Sequence, residues 1–231
     1  MIRLDGVGFS YSPKVRVLED VTLELPPGLT LVLGPNGCGK STLAKLTAGV
    51  EMPSEGTITI SGHDLWSDEV AARRDLVYVP EHPDLTPYAT VNEILTLVSG
   101  LRSAGRDAVD EAMAWAGIEG LGNRTVRKLS NGQRRRSVLA AARIGSAKYL
   151  VLDEPLDGVD RSFRAELLAW IAGHRAAGAV ILLVSHDIDA FVGLVDRAVN
   201  PRGGTCHTVS PLPEGAARRD ALARLARGEP V

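Results

Sequence analysis

The chain has 231 residues, enough to bury a full hydrophobic core in one large domain or in two small ones. Its formal net charge is −2 with 23% charged residues, so charge gives no reason to expect nucleic acid or an anionic membrane as a partner. The two cysteines lack metal-ligand spacing and no apolar run is longer than a strand, which argues against a disulfide framework, a zinc site and a membrane-spanning helix.

The first predicted elements are two β segments at residues 2–9 and 17–25, with a turn at Ser12 and Pro13 between them. Tyr11 lies just before this turn. Its ring could stack on an adenine base, or it could cover the core as an ordinary aromatic residue at a strand end. Both interpretations stay open on the residues alone.

Residues 33–43, LGPNGCGKSTL, follow a short apolar run and precede a segment with helical spacing. They match the pattern G-x-x-x-x-G-K-[ST], in which a glycine-rich turn and a helix N-terminus surround phosphate with backbone N–H groups. Lys40 supplies a charge for the outer phosphates, and the Ser41 hydroxyl stands where a Mg²⁺ ligand is needed. The turn glycines are Gly34, Gly37 and Gly39. This segment predicts nucleotide binding.

Strands are expected at residues 56–62 and 76–80, and the pattern then changes to helix from residue 84 to residue 128. Thr90 and Glu93 form a capping box ahead of a first helix, and a second helix is predicted over Asp107–Ala116. The apolar face of the first helix would be Val91, Ile94, Leu95, Val98 and Leu101. The insert is too short to fold well alone, so we interpret it as a helical subdomain.

Polar residues follow two apolar strands in the second half of the chain. YLVLDEP at residues 149–155 ends in Asp153 and Glu154, and AVILLVSHD at residues 179–187 leads to His186. Because the carboxyl ends of parallel strands line the ligand crevice, we expect both carboxylates to face the phosphate loop. Between these motifs, LSNGQ at residues 129–133 opens a long helix, and Asp160 can N-cap the next one.

The chain then predicts a buried helix face of Phe163, Leu167, Trp170 and Ile171. A hairpin of residues 195–200 and 205–209 around Gly203 and Gly204 follows. The last predicted element is a helix over residues 213–227 whose function the sequence does not indicate.

In this order, the motifs resemble those of the nucleotide-binding subunits of ATP-binding-cassette (ABC) transporters over roughly residues 1–210. LSNGQ, followed about twenty residues later by DE after an apolar strand and then by SHD, separates this family from other phosphate-loop ATPases. The resemblance implies an α/β phosphate-loop NTPase core with a mixed sheet, an N-terminal antiparallel β subdomain and a helical subdomain. Within a single ABC ATPase domain, residues 1–83 and 134–210 would form the core and β subdomain, 84–133 the helical subdomain and 211–231 a C-terminal helix.

The resemblance implies a role for each residue that matches a motif of the family. Tyr11 would stack on adenine, Glu154 would polarise the attacking water, and His186 would contact the γ-phosphate. Asp153 would bind Mg²⁺ through water, beside Ser41. The phosphates would be held by Gly34, Asn36, Gly37, Cys38, Gly39, Lys40, Ser41 and Thr42.

The remaining family roles belong to a dimer. Ser130, Asn131 and Gly132 would contact the γ-phosphate of an ATP bound to a second subunit, and Asp160 would lie in the loop that crosses between the subunits. The family usually has glycine where this chain has Asn131, and we expect asparagine to substitute because it tolerates left-handed geometry and caps helices.

Glu81 replaces a glutamine that in most members touches the metal or the water, so we include it among the catalytic and metal-binding candidates. A carboxylate there adds negative charge near Mg²⁺. Glu81 and the segment after it resemble the corresponding residues in the branch of the family that is associated with export of drugs, antibiotics or polysaccharides.

The resemblance implies an ATP-hydrolysing subunit that uses ATP and Mg²⁺, forms a homo- or heterodimer and works with multi-span membrane permease subunits, without nucleic acid. It would lie in the cytoplasm, peripheral on the inner face of the cell membrane, since the N-terminus has no apolar leader. Two alternatives are a cytosolic ABC ATPase of an assembly machine, such as iron–sulfur cluster assembly, and a regulatory ATP clamp with little hydrolysis. The presence of Lys40, Asp153, Glu154 and His186 argues against the clamp.

Overall fold

The computed structural model describes residues 1–229, which form two β-sheets and eight α-helices. The strands are β1 (Ile2–Ser12), β2 (Val15–Leu25), β3 (Gly28–Val32), β4 (Glu55–Ile60), β5 (His63–Asp64), β6 (Leu76–Val79), β7 (Tyr149–Asp153), β8 (Val180–Val184), β9 (Arg197–Arg202) and β10 (Thr205–Val209). The helices are α1 (Lys40–Thr47), α2 (Glu69–Arg73), α3 (Val91–Leu101), α4 (Asp107–Ala116), α5 (Asn131–Arg143), α6 (Arg161–Ala176), α7 (Ile188–Phe191) and α8 (Ala216–Ala226). None of these helices is long and apolar enough to cross a lipid bilayer.

The described residues cluster into two compact units. Unit 1 comprises Met1–Tyr78, Lys148–Glu154 and the residues from Ala172 onward. Unit 2 comprises Val79–Ala147 and Pro155–Ile171.

Unit 1 contains an antiparallel sheet in the order β2-β1-β4-β5. Leu4 of β1 is paired with Leu23 of β2 and with Ile58 of β4, and all three side chains are buried. Because the paired residues lie on the same face of the sheet, the apolar residues of the alternating pattern form one layer of the core. The predicted hairpin is confirmed, with its turn one residue later than expected, because Ser12 still pairs with Val15.

The second sheet has the order β10-β9-β3-β8-β7-β6 and is mixed. Strands β3, β7, β8 and β9 run parallel, whereas β10 is antiparallel to β9. Every residue of β3, β7 and β8 is buried, as expected for central strands covered on both faces. Helix α1 packs against β7 and β8, and its Leu43 and Leu46 join a core shared with the antiparallel sheet. This is the predicted α/β fold of a phosphate-loop NTPase.

Unit 2 contains α3, α4 and α5 and most of α6. The capping box at Thr90 and Glu93 is confirmed, and α4 has the predicted bounds Asp107–Ala116. The predicted apolar face of α3 is wrong at Leu101, which is exposed. Ser99 faces inward in the last turn instead, where its hydroxyl donates to the Gly105 carbonyl at 2.5 Å, so Leu101 two residues later lies on the opposite side.

The later elements follow the sequence pattern closely. The predicted buried face of α6 and the hairpin of β9 and β10 are confirmed. Helix α8 begins three residues after the predicted start, because the chain first turns at Gly215, and residues 230–231 of the predicted C-terminal segment lie outside the described residues. The short elements β5, α2 and α7 had no recognisable pattern, since two to five residues are too few to show a period.

Candidate functional site

The chain between β3 and α1 forms a tight loop that passes through Gly37 and Gly39, whose φ angles are +79° and +104°. A side chain at Gly39 would bring a Cβ atom to 3.2 Å from Val17 and 3.3 Å from Leu18, so glycine is required there. Gly39 is the N-cap of α1, and among residues 1–229 no side chain caps this helix. The positive end of α1 therefore faces the loop and is suited to an anion.

Lys40 extends back over this loop. Its Nζ donates to the Gly34 carbonyl at 2.8 Å and to the Pro35 carbonyl at 3.0 Å. The ammonium is thereby held at the mouth of the loop, where exposed Asn36 and Gly37 form the outer turn. Polyphosphate oxygens can replace these two carbonyls as acceptors of the same proton donors.

Tyr11 is joined to the phosphate loop through its hydroxyl, which lies 3.3 Å from the Thr42 hydroxyl. Phe9 fills the core at 6% exposure and meets the Tyr11 ring edge-on at 4.8 Å, whereas Tyr11 itself is 53% exposed. The open ring favours the base-stacking interpretation over that of a core aromatic residue at a strand end.

The carboxylates lie at the same sheet edge as the loop. Val32, Val184 and Asp153 are aligned in register across β3, β8 and β7, and the loop follows β3 directly. This confirms the argument from parallel strands, because the three carboxyl ends meet at one edge. Asp153 is 1% exposed, and Glu154 follows it immediately.

Glu154 adopts φ +46°, an uncommon backbone conformation for a residue with a side chain, and its N–H donates to the Val184 carbonyl at 2.9 Å. Its Oε2 accepts a hydrogen bond from the His186 backbone N–H at 3.3 Å and lies 3.0 Å from His186 Nδ1. The strand ends of β7 and β8 thus form a carboxylate–imidazole pair. Strained backbone of this kind is often found at active sites.

The donor set of this edge fits Mg²⁺. Ser41 contributes a hydroxyl from the first turn of α1, and Asp153 contributes a buried carboxylate from β7, against which α1 packs. Both are hard oxygen ligands of the kind that Mg²⁺ prefers beside phosphates, and a buried carboxylate favours a cation as neighbour.

In unit 2, LSNGQ at residues 129–133, which we call the signature sequence, forms the start of α5. The Ser130 Oγ accepts from the Gln133 N–H at 3.2 Å, and the Ser130 N–H donates to the Gln133 side-chain oxygen at 3.1 Å. Ser130 is therefore the N-cap, and Asn131 is the first helical residue. Asn131 therefore neither caps the helix nor takes a left-handed conformation, so the two properties of asparagine that we invoked are not used at this position. That asparagine can substitute for the family's glycine stays a prediction.

Two further predicted residues contact their own unit closely. A Cβ atom at Gly132 would lie 3.2 Å from the Gly158 carbonyl, so the signature helix and the loop after β7 approach each other at this point. Asp160 caps α6 as predicted, accepting from the Phe163 N–H at 3.2 Å, and it also pairs with Arg136. Hydrogen bonding from the Arg136 guanidinium holds the pKa of the Asp160 carboxyl well below its usual range.

Glu81 follows β6, and its Oε1 lies 3.6 Å from His82 Nε2. Its backbone is held by Arg135, whose Nη1 donates to the Pro80 carbonyl at 2.5 Å and lies 3.4 Å from the Glu81 carbonyl oxygen. A cavity of about 330 Å³ in unit 2 is lined by Glu81, His82 and Arg135 together with Asn131, Asp157 and Gly158.

Sequence reasoning missed Arg135, because a run of three arginines is typical of a solvated surface. The side chain is only 4% exposed. The signal that was available is its helical spacing of three, four and seven residues to the buried Val138, Leu139 and Ala142.

The predicted residues therefore divide between the units. Unit 1 contains Tyr11, Gly34, Asn36, Gly37, Cys38, Gly39, Lys40, Ser41, Thr42, Asp153, Glu154 and His186. Unit 2 contains Glu81, Ser130, Asn131, Gly132 and Asp160. The phosphate-binding loop, the metal donors and the Glu154–His186 pair thus lie in one unit, and the signature residues lie in the other.

A family model described as "ABC transporter" matches residues 18–157. The chain is 34% identical over 203 residues to the sulfate/thiosulfate import ATP-binding protein CysA of Synechocystis sp. (strain ATCC 27184 / PCC 6803 / Kazusa), covering 85% of this chain and 57% of that protein. It is also 34% identical over 234 aligned positions to the aliphatic sulfonates import ATP-binding protein SsuB 1 of Mesorhizobium japonicum (strain LMG 29417 / CECT 9101 / MAFF 303099), covering 97% and 84% respectively.

The fold is likewise shared with a solved structure. The ATP-binding cassette MJ0796, in a dimeric post-hydrolysis state bound to ADP and Pi, superimposes with a TM-score of 0.81 at 22% identity, covering 93% of this chain and all of that one. The chain spans a little over half the length, 57%, of the sulfate/thiosulfate relative.

Proposed function

Because the chain belongs to the ABC transporter family, we propose that it binds ATP with Mg²⁺ and hydrolyses the ATP to ADP and phosphate, driving a substrate through separate membrane subunits. One observation carries this proposal: the phosphate loop, Asp153 and the Glu154–His186 pair lie together in unit 1, at one edge of a parallel sheet. Binding alone would not need the carboxylate–imidazole pair.

Each of the predicted residues of unit 1 has its own role in ATP binding or hydrolysis. Tyr11 stacks on the adenine ring, and Lys40, the loop backbone and Thr42 hold the phosphates. Ser41 and Asp153 hold Mg²⁺, which when bound neutralises the phosphate charge and orients the terminal phosphoryl group. Glu154 accepts a hydrogen bond from the attacking water and orients it. His186 fixes the Glu154 carboxylate through its backbone N–H and contacts the γ-phosphate with its ring.

The residues of unit 2 act on the nucleotide of a second subunit. Ser130, Asn131 and Gly132 present a helix N-terminus whose first turn contains no acidic residue, and the solved cassette with the same fold is dimeric. The Ser130 oxygen accepts from the Gln133 N–H, so its own proton remains to be donated to phosphate. Asp160, held by Arg136, stiffens the loop that crosses to the partner, and the dimer is formed by two copies or by two homologous chains.

The helical segment of residues 84–133, within one ABC ATPase domain, contacts a multi-span permease from the cytoplasmic side of the membrane. For the direction of transport we propose export, on the basis of Glu81, although the sulfate/thiosulfate and sulfonate relatives are named import proteins. Measuring substrate uptake or efflux in vesicles that contain the cognate permease decides between import and export, and the result does not affect the ATPase proposal.

Neither relative's name supports the two alternative functions, a cytosolic assembly machine or a regulatory clamp.

The test is the ATPase rate as a function of protein concentration, together with affinity purification of the chain from detergent-solubilised membranes. We expect the rate per chain to rise with concentration, because each site needs residues of two subunits, and we expect a multi-span membrane protein to copurify. Wild-type protein without measurable ATP binding would contradict the proposed activity. Recovery with soluble partners alone would contradict the role in transport.

A further inference from the structure

The C-terminal part of unit 1 encloses the residues that lead into the phosphate loop. The Leu33 N–H donates to the Val199 carbonyl at 2.9 Å, and the Leu33 carbonyl accepts from Asn200 Nδ2 at 2.7 Å. Both polar groups of the residue just before Gly34 are therefore held by β9.

Asn200 connects this point to the C-terminal helix. Its side chain is 4% exposed, and Nδ2 also donates to the Leu225 carbonyl in the last turn of α8 at 3.0 Å. Both acceptors are carbonyl oxygens, so the amide nitrogen must face them. Its two protons thus join the base of the loop to α8, and removing them would leave two carbonyls without this partner.

The end of α8 also approaches the loop directly. Gly228, which follows the helix with φ +78°, is so close to Pro35 that a Cβ atom there would lie 3.0 Å from Pro35 Cγ and 3.3 Å from Cδ. On the other side, a Cβ atom at Gly34 would lie 3.3 Å from Asn200 Nδ2 and 2.7 Å from Cys38 Sγ. The start of the loop is therefore packed between α8, Asn200 and the Cys38 thiol.

We propose that helix α8 braces the phosphate loop and that Asn200 is a positioning residue for nucleotide binding. Asn200 holds the Leu33 carbonyl, and the end of α8 lies against the Pro35 ring. These contacts lie on either side of Gly34, and the Gly34 and Pro35 carbonyls are the ones that hold the Lys40 ammonium. A loop held in its binding conformation loses less entropy when phosphate binds, so the brace raises nucleotide affinity. This inference rests on the proposed function of the loop, and it gives the C-terminal helix a role that its sequence did not indicate.

Gly228→Ala and Gly178→Ala form a matched pair for the test. Gly178 follows α6 with φ +80°, but a Cβ atom there would meet nothing within 4 Å among the described residues. Both substitutions place a side chain on a residue with left-handed backbone just after a helix. Only in Gly228→Ala does the new Cβ atom contact Pro35. With a fluorescent ATP analogue and Mg²⁺, we expect Gly228→Ala to raise the Kd about threefold or more and Gly178→Ala to leave it within about 1.5-fold of wild type. KM for ATP should rise in parallel, with kcat at saturating ATP nearly unchanged.

Asn200→Leu tests the same brace from the other side, and thiol labelling of Cys38 reports on the loop itself. Burial raises the pKa of Cys206 to about 12, so near neutral pH a thiol reagent reacts chiefly at Cys38. We expect nucleotide-free Asn200→Leu and Gly228→Ala to label faster than wild type, and Gly178→Ala to label at the wild-type rate.

Equal Kd values for wild type and Gly228→Ala would overturn the inference, as would equal weakening by the two glycine variants. Such results with a wild type that binds ATP leave the proposed function standing. A wild type that binds no ATP refutes the proposed function itself. Gly228→Ala changes a residue after the last helix, so it still tests the brace if Asn200→Leu fails to fold.

Discussion

His186 Nδ1 lies 3.0 Å from Glu154 Oε2, and the His186 backbone N–H donates to the same carboxylate oxygen at 3.3 Å. The two residues follow neighbouring parallel strands, β7 and β8, whose last residues Asp153 and Val184 are paired. The pairing of these two strand ends brings the carboxylate and the imidazole together. A carboxylate fixed in this way can accept a water proton without first reorganising.

Glu154→Gln should abolish turnover while leaving ATP binding intact. The amide keeps the shape of the carboxylate but cannot act as a base, so we expect kcat to fall by at least about 100-fold. Because ATP then persists, size-exclusion chromatography with ATP and Mg²⁺ should show a trapped dimer. Glu166→Gln, at an exposed position of α6, is the control and should behave as wild type. Hydrolysis by Glu154→Gln at the wild-type rate would show that another group is the base.

Lys40→Ala should weaken nucleotide binding, because it removes the ammonium that the Gly34 and Pro35 carbonyls hold at the mouth of the loop. We expect the Kd for ATP to rise at least about tenfold, the scale of one charge-assisted contact to phosphate. Lys45→Ala, in the last turn of the same helix, controls for loss of a lysine from α1. Equal ATP affinity of the two variants in equilibrium titrations would contradict the phosphate role of Lys40.

Local motifs made much of this protein predictable. The capping box at Thr90 has a strong local cause, and α4, which ends before the left-handed Gly117, was predicted with its observed bounds. The phosphate loop and the DE pair are short stretches whose neighbours in the chain determine their form. The common sheet edge then followed from the rule for parallel strands.

Long-range polar contacts were not predictable in the same way. Arg135 reaches a carbonyl 55 positions away and Asn200 one 167 positions away, and no local pattern identifies such partners. The capping role considered for Asn131 belongs to Ser130, which forms a capping box with Gln133, a pattern that was already present in the sequence. Residue-by-residue resemblance also indicated an export branch, which the names of the relatives do not support.

Arg135→Met should destabilise the protein, because the Pro80 carbonyl loses a buried, charged hydrogen-bond donor. We expect the free energy of unfolding to fall by about 1–3 kcal/mol in denaturant titrations. Arg135→Lys should not restore it fully, since one ammonium cannot reproduce the planar guanidinium. The control is Arg161→Met, which replaces an exposed arginine on α6. Equal stability of Arg135→Met and Arg161→Met would mean that the contact with Pro80 contributes nothing.

Glu81→Gln tests whether the departure from the family pattern changes the metal dependence. A carboxylate near Mg²⁺ attracts the ion more strongly than an amide does. We therefore expect the variant to need about two- to tenfold more Mg²⁺ for half-maximal ATPase activity. His82→Gln, which changes the neighbouring side chain, is the control. An unchanged Mg²⁺ requirement would contradict the prediction that Glu81 binds the metal.

The ion pair of Arg175 and Asp196 predicts how stability depends on acid. Arg175 donates to both carboxylate oxygens, at 2.5 and 2.8 Å, and the Leu29 N–H donates to Oδ2 at 2.8 Å. Hydrogen bonding from Arg175, against a smaller opposing effect of burial, lowers the pKa of Asp196 in the folded protein. The stabilisation is therefore fully present above the unfolded-state pKa of about 3.9 and is lost as the pH falls through the lower folded-state pKa.

Asp196→Asn should lower the free energy of unfolding by about 1–3 kcal/mol at neutral pH, and the difference from wild type should shrink below about pH 4. Asp189→Asn breaks a pair with Arg219 whose side chains are 67% and 60% exposed, whereas the Asp196 side chain is 28% exposed. Water screens the exposed pair, so this control should change neutral stability very little. Denaturant titrations from neutral to acid pH measure both variants. A difference between Asp196→Asn and wild type that stays constant down to pH values below the folded-state pKa would show that the carboxylate charge of Asp196 does not stabilise the fold.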